Sequence, residues 1–266
     1  MINMQLCRFY EPTSERARFG VLKDGAIYPL ADGEVFNLLD LPELPRLSAR
    51  PHDQGEVKLL APVSPSKIVC VGRNYKDHAA ELGNPMPDEP LLFLKPPSAI
   101  VGHEEAIQLP AASSRIEHEG ELGVVIGRRT HRLGDSENPL DYVLGYTCVN
   151  DVTARDLQRR DVQFTRAKSF DTFCPIGPFI VTGVDPFDLQ VETRVNGQMR
   201  QRGRTAAMAF PVSYLIRYIS HIMTLEAGDV ISTGTPAGVG PLVTGDVCEV
   251  VVENVGTLGN PVRASK

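Results

Sequence analysis

Residues 117–127 read Glu117-His118-Glu119-Gly120-Glu121-Leu122-Gly123-Val124-Val125-Ile126-Gly127, and this stretch decides the fold class. Its second half is a short apolar run, partly β-branched and closed by glycine, which is the pattern of a buried strand. Its first half places an acidic residue at every second position. Side chains alternate across a strand, so Glu119 and Glu121 share one face and Glu117 can join them. Carboxylates held that close repel each other unless solvent or a cation lies between. The stretch therefore reads either as a solvated strand face or as an oxygen-donor site for a hard cation such as Mg²⁺ or Mn²⁺.

Further strands are predicted at Lys67–Val71, Tyr142–Asn150, Pro178–Thr182 and Val247–Asn254. Asp24-Gly25 and Asn196-Gly197 each separate two strand-like runs, and both dipeptides supply the positive φ angles of a tight hairpin. Convincing helices are few. Over Pro211–Met223, Val212, Leu215, Ile216, Ile219, Ile222 and Met223 follow helical spacing, and Pro211 suits a first turn. Gly (23) and Pro (21) make about a sixth of the 266 residues, above the roughly one-eighth of an average protein. That load excludes a long helical bundle and fits many short elements joined by turns. The fold class is β-rich α+β. Proline and polar residues crowd 41–65, which places a boundary there. A small N-terminal β-rich domain spans 1–60 and a larger domain 61–266.

The chain carries 33 acidic and 27 basic residues, a formal charge of −6, so it is not built for nucleic acid. A local basic pocket for a small anion remains open. The five cysteines are scattered without metal-ligand or disulfide spacing and read as buried thiols. The N-terminus lacks the pattern of a secretory signal, and no apolar run reaches membrane length. A soluble cytoplasmic protein is the expectation.

Three more places concentrate chemistry. Asp151 ends a strand, and a short helix is predicted to begin at Thr153, with Thr153 and Asp156 as a capping pair. Arg155 and Gln158 then share a helix face, suited to a carboxylate ligand or to an ordinary surface ion pair. His78 and Glu81 lie three apart on a short helix stopped by Gly83. A carboxylate beside an imidazole makes a general base, although such pairs are also common on helix surfaces. In 232–240, Thr235 offers a hydroxyl on a glycine-rich loop. Lys168 is an isolated base among aromatics, either an anion partner or a surface lysine.

Six runs occur in one order: GRNYKDHAAELG (72–83), LFLKPPSAIVG (92–102), EHEGELGVVIG (117–127), NDVTARDLQ (150–158), AKSFDTFCPIGP (167–178) and STGTPAGVG (232–240). Together they resemble the fumarylacetoacetate hydrolase (FAH) superfamily over about residues 60–262. The resemblance implies a mixed β-roll, usually a homodimer. It implies Mg²⁺ or Mn²⁺ (Ca²⁺ in some members) held at Glu119, Glu121 and Asp151, and a catalytic His78–Glu81 dyad. It implies contacts to a small anionic 2-oxo acid from Arg155, Gln158, Lys168 and Thr235, with Arg73 and Lys95 in matching motifs. His118 stands where many members carry Tyr and should point away from the cation. The implied activity runs through a metal-stabilised enolate. It resembles most the isomerase/decarboxylase of the 2-hydroxyhepta-2,4-diene-1,7-dioate type in aromatic catabolism. Acylpyruvate C–C hydrolysis and oxaloacetate decarboxylation are the alternatives, and a non-catalytic oxo-acid-binding protein is the alternative of another class.

Overall fold

A computed structural model describes residues 3–11, 15–31 and 50–265, with positions 35, 39 and 47 between them. Strands dominate it. The largest sheet runs in the order His52–Asp53, Ala26–Pro29, Arg16–Lys23, Gln5–Glu11, Cys174–Val181, Val143–Asn150, Gly120–Ile126, Val230–Ser232, Ile68–Gly72 and Leu91–Lys95. Neighbours along this path are antiparallel, except that Val230–Ser232 lies parallel to Ile68–Gly72. A second sheet joins Gln198–Arg204, Gln190–Val195, Val247–Val252, Gly256–Ala264 and Ile107–Leu109, and a third joins Thr153–Ala154, Ile116–His118 and Gly240–Pro241. This is the mixed, strand-rich architecture expected from the sequence.

Both hairpins form as their turns require. Asp24 and Gly25 sit at φ 52° and 77°, Asn196 and Gly197 at φ 53° and 74°, the double left-handed pair that matches strand twist. The apolar helix spans Val212–Ile222 with Pro211 as its N-cap, and buries Val212, Leu215, Ile216 and Ile219. These pack with Leu122, Val124 and Ile126 of the central strand and with Val191 and Val250 of the second sheet. Val125, on the opposite face of the central strand, packs with Leu144, Val149 and Ile180. The central strand is thus covered on both sides, which is why its run is apolar without alternation.

The N-terminal strands extend the same sheet, because Gln5 and Leu6 pair with Val181 and Ile180. Within the proline-dense stretch, positions 41–46 and 48–49 lie outside the described residues. His52–Asp53 and Lys58–Leu60 are strands of the large sheet, so that part is more than a connector. All five cysteines are free and buried. Among the described residues, no helix is long and apolar enough to cross a membrane.

The parallel pair is pinned by one side chain. Asp229, fully buried, accepts from Ser66 N at 2.9 Å, Ser66 Oγ at 2.7 Å, Lys67 N at 3.1 Å and Glu226 N at 2.8 Å, and pairs with Lys67 Nζ. Burial pushes its carboxyl up, but the Lys67 ammonium and these donors outweigh it and hold it below the usual carboxylate range. Asp229→Asn is expected to cost about 2–4 kcal/mol at neutral pH. A folded-state value below the unfolded one adds stability above the ordinary aspartate range, and that stability disappears as pH falls through the folded value. Urea midpoints of wild type and variant should therefore differ widely at pH 7 and converge in acid.

Candidate metal and substrate site

The sheet brings three carboxylates to one point. Gly120 pairs with Asn150, which sets Glu119 and Glu121 beside Asp151 across the strand pair. Their ligand oxygens all lie within 4.8 Å of one another, and all three residues are buried. Burial, then the neighbouring Asp151 charge, pushes the Glu121 carboxyl up to about 8. Ser232 Oγ at 2.5 Å and Gly234 N at 2.8 Å both donate to its Oε2.

Glu119 behaves oppositely. Burial raises its carboxyl, but Lys168 and Arg155 outweigh that and hold it far below the usual range. Lys168 Nζ stands 2.8 Å from Glu119 Oε2 and 2.6 Å from Asp151 Oδ2. Burial would discharge that ammonium, but Asp151 and Glu119 keep it charged. Lys168 also lies 5.0 Å over the Phe93 ring, a cation–π contact that tolerates desolvation. Lys95 Nζ reaches Asp151 Oδ1 at 2.6 Å and Val152 O at 3.2 Å.

The residues fit a hard divalent cation. The cluster is all oxygen and buried, and its mutual repulsion is the kind a cation relieves. Lys95 and Lys168 brace Asp151 and Glu119 without supplying a softer ligand.

Glu119, Glu121 and Asp151 line a cavity of about 230 Å³ together with Arg73, His78, Phe93, Arg155, Gln158, Arg159, Phe164, Lys168 and Thr235. Of the residues singled out in the sequence, Glu119, Glu121, Asp151, Arg73, His78, Arg155, Gln158, Lys168 and Thr235 thus share one cavity, while Lys95, Glu117 and His118 are not among its lining residues and Glu81 stands behind His78. His78 Nδ1 is 3.4 Å from Glu81 Oε2, and both Glu81 oxygens accept from Gly238 N at 3.0 and 3.1 Å. The dyad helix spans Lys76–Glu81, and Gly83 follows at φ 69°. Arg73 enters this segment at φ 55°, a left-handed position that costs a side-chain residue energy and recurs at functional sites.

Two local expectations change. Thr153 does not cap the following helix. It is a strand residue whose hydroxyl donates to Asp151 O, and Ala154 occupies the cap without a side-chain bond. Asp156 accepts from Leu157 N, Ser113 Oγ and Ser114 N instead of closing a capping box. Glu117 does not join the carboxylate cluster. Arg155 Nε takes it at 2.6 Å while another Arg155 nitrogen holds Glu119. Glu117 therefore sets the guanidinium, and Arg155 pairs with Gln158 on its far side. His118 stands outside the cluster, with Nδ1 2.9 Å from Gln201 Oε1.

The profile "Fumarylacetoacetate (FAA) hydrolase C-terminal" matches residues 67–263, three quarters of the chain, and "Rv2993c-like, N-terminal" matches residues 4–62. The chain belongs to the fumarylacetoacetate hydrolase family. Oxaloacetate tautomerase YisK of Bacillus subtilis is 42% identical, with 88% of this chain and 84% of that protein covered. The mitochondrial oxaloacetate decarboxylase of Dictyostelium discoideum is 46% identical, with 72% and 90% covered. Among solved structures, 2-hydroxyhepta-2,4-diene-1,7-dioate isomerase from Mycobacterium marinum is 42% identical, covers 98% of this chain and 99% of its own, and superposes with a TM-score of 0.87. The protein is an FAH-family enzyme. Gln201 and Ser232 brace the acidic strand at Gly120 and Glu121, and Lys95 braces Asp151 beside it. Sequence spacing gave little sign of the first two, because each contact spans more than 80 residues.

Proposed function

We propose that this FAH-family enzyme moves a proton between the keto and enol forms of a small 2-oxo dicarboxylate, with a divalent cation at Glu119, Glu121 and Asp151. The observation that carries the reading is one cavity holding both the carboxylate cluster and His78, together with four cationic side chains, Arg73, Arg155, Arg159 and Lys168. Four cations against three carboxylates, plus a divalent ion, leave an excess of positive charge that suits a dianion. A cation bound there supplies Lewis-acid polarisation of the 2-oxo carboxylate. Lys168 and Arg155 stabilise negative charge that grows on the oxo oxygen. His78, oriented through Nδ1 by Glu81, exchanges the proton at the carbon beside the oxo group through Nε2. Arg73 and Arg159 hold the second carboxylate.

The names of the relatives support this class of chemistry. Tautomerisation and dienoate isomerisation differ only in where the proton lands. Decarboxylation is a second reading, favoured by the similarity to the Dictyostelium decarboxylase; loss of CO₂ leaves the same enolate. C–C hydrolysis requires His78 to act on water instead, and a binding protein without turnover is the reading outside catalysis. Turnover with Mg²⁺ on enol-oxaloacetate, 2-hydroxyhepta-2,4-diene-1,7-dioate and acylpyruvates separates these cases. Keto–enol conversion should be fastest, and Glu119→Gln should reduce every activity at least about a hundredfold. Undiminished turnover in Glu119→Gln, or cleavage faster than tautomerisation, contradicts the assignment.

A further inference from the structure

One buried amide fixes where the dyad helix begins. Asn74 is fully buried and lies two residues ahead of the helix Lys76–Glu81. Its Nδ2 donates to Phe210 O at 3.0 Å and to Thr233 O at 2.8 Å, and its Oδ1 accepts from Phe210 N at 2.8 Å. A carbonyl can only accept and a backbone N–H can only donate, so these contacts settle which end of the amide is oxygen. The Asn74 backbone adds a fourth tie, because its carbonyl accepts from Ala209 N at 2.8 Å. Tyr75 is buried next, bridges Met208, and accepts from Ala79 N in the first turn of the helix.

The loop that Asn74 grips also serves the carboxylate cluster. Thr233 precedes Gly234, whose N–H donates to Glu121 Oε2 at 2.8 Å. A Cβ on Gly234 would stand 2.7 Å from Asn74 Cβ, so the two segments approach as closely as glycine allows. Gly238 of the same loop donates to Glu81 at the other end of the helix. Both ends of the dyad helix therefore rest on 233–238. The Glu81 tie is exposed and the Asn74 tie is buried, and the buried one is the harder to exchange for water. The loop has its own anchor as well, since Thr233 donates to Leu122 O through Oγ1 at 2.8 Å and through N at 3.2 Å. Loss of the Asn74 amide would free the helix while Glu121 stays held.

We propose that Asn74 is a positioning residue, whose amide sets the distance from His78 to the carboxylate cluster by locking the start of the dyad helix to the loop that holds Glu121. Asn74 does not line the cavity, so it acts through His78 and not by touching a ligand. A proton is exchanged only within hydrogen-bond reach, and a misplacement of about 1 Å costs about a hundredfold in rate. The inference rests on the proposed role of His78 at the cation and oxo-acid site.

The test uses the full chain and Asn74→Asp, which keeps the size of the side chain and the acceptor for Phe210 N but turns a second oxygen on Phe210 O and Thr233 O. Hydrogen exchange without metal or ligand reads the tie itself. Amides of 79–82 should exchange at least about tenfold faster in the variant, while those of 122–126 stay within about twofold of wild type. A merely structural loss would speed both regions together. With Mg²⁺ and enol-oxaloacetate, kcat should fall about ten- to a hundredfold, while KM and the affinity for oxalate change less than about threefold. Asn74→Ser, which avoids the repulsion between carboxylate and carbonyls, carries the same readouts should Asn74→Asp not fold. Unchanged exchange over 79–82, or a kcat within about twofold of wild type, overturns the positioning role and leaves the site reading standing. A wild-type protein that neither turns over enol-oxaloacetate nor binds oxalate in Mg²⁺ overturns the site reading itself.

Discussion

Replacing Lys168 by methionine should destabilise the Mg²⁺-free protein by about 3–5 kcal/mol, because it leaves two buried carboxylates without their shared partner. Lys168 is 2% exposed and lies within hydrogen-bond distance of both Glu119 and Asp151. Its folded-state value is raised above that of the unfolded chain, so its contribution is full below the ordinary lysine range and disappears only as pH rises through the folded value. The loss is therefore expected across the whole neutral range. Mg²⁺ should restore much of the melting temperature in Lys168→Met, since a cation can take over the charge compensation of Glu119 and Asp151. Turnover should stay at least about a hundredfold down, because the ammonium proposed to stabilise developing charge is gone. A variant as stable as wild type without metal would show that the two carboxylates do not depend on this lysine.

The second large effect belongs to His78. His78→Gln keeps a polar side chain of similar reach and removes the base. Turnover should fall about 10²- to 10⁴-fold, while stabilisation by Mg²⁺ with oxalate stays close to wild type, because His78 is not one of the three carboxylates proposed to hold the cation. Glu81→Gln should have a smaller effect in the same direction, since Glu81 is proposed to act through the imidazole and is itself anchored on Gly238 N. Equal loss of binding and turnover in His78→Gln would instead make it a ligand-binding group.

Local rules carried much of this molecule. Asp-Gly and Asn-Gly turns, the apolar stripe of Val212–Ile222 and the alternation of Glu119 and Glu121 were legible because each depends on residues a few positions apart. The rest depends on pairing across long separations. Nothing near Asp229 says that it joins Ser66 and Lys67 to fix a parallel register. Nothing near Gln201 says that it meets Gly120 and Thr235. Glu117 shows the limit of strand periodicity. Alternation allowed it into the cluster, but Ile116–His118 belongs to the third sheet while Gly120–Ile126 belongs to the first. The chain changes sheets at Glu119, and Arg155 takes up Glu117 instead. The order of the six sequence runs pointed to the family where single residues left a solvated strand face as open as a cation site.

The central claim is that Glu119, Glu121 and Asp151 hold a divalent cation on which oxo-acid binding depends. Isothermal titration of oxalate into wild type and into Glu121→Gln, each with and without Mg²⁺, tests it most directly. Glu121→Gln keeps the size of the side chain and an oxygen within reach of Ser232 and Gly234, so the fold should persist. Wild type should bind oxalate only when Mg²⁺ is present, and Glu121→Gln should bind it at least about tenfold more weakly under the same conditions. Equal oxalate affinity with and without Mg²⁺, or an unchanged affinity in Glu121→Gln, would contradict the claim.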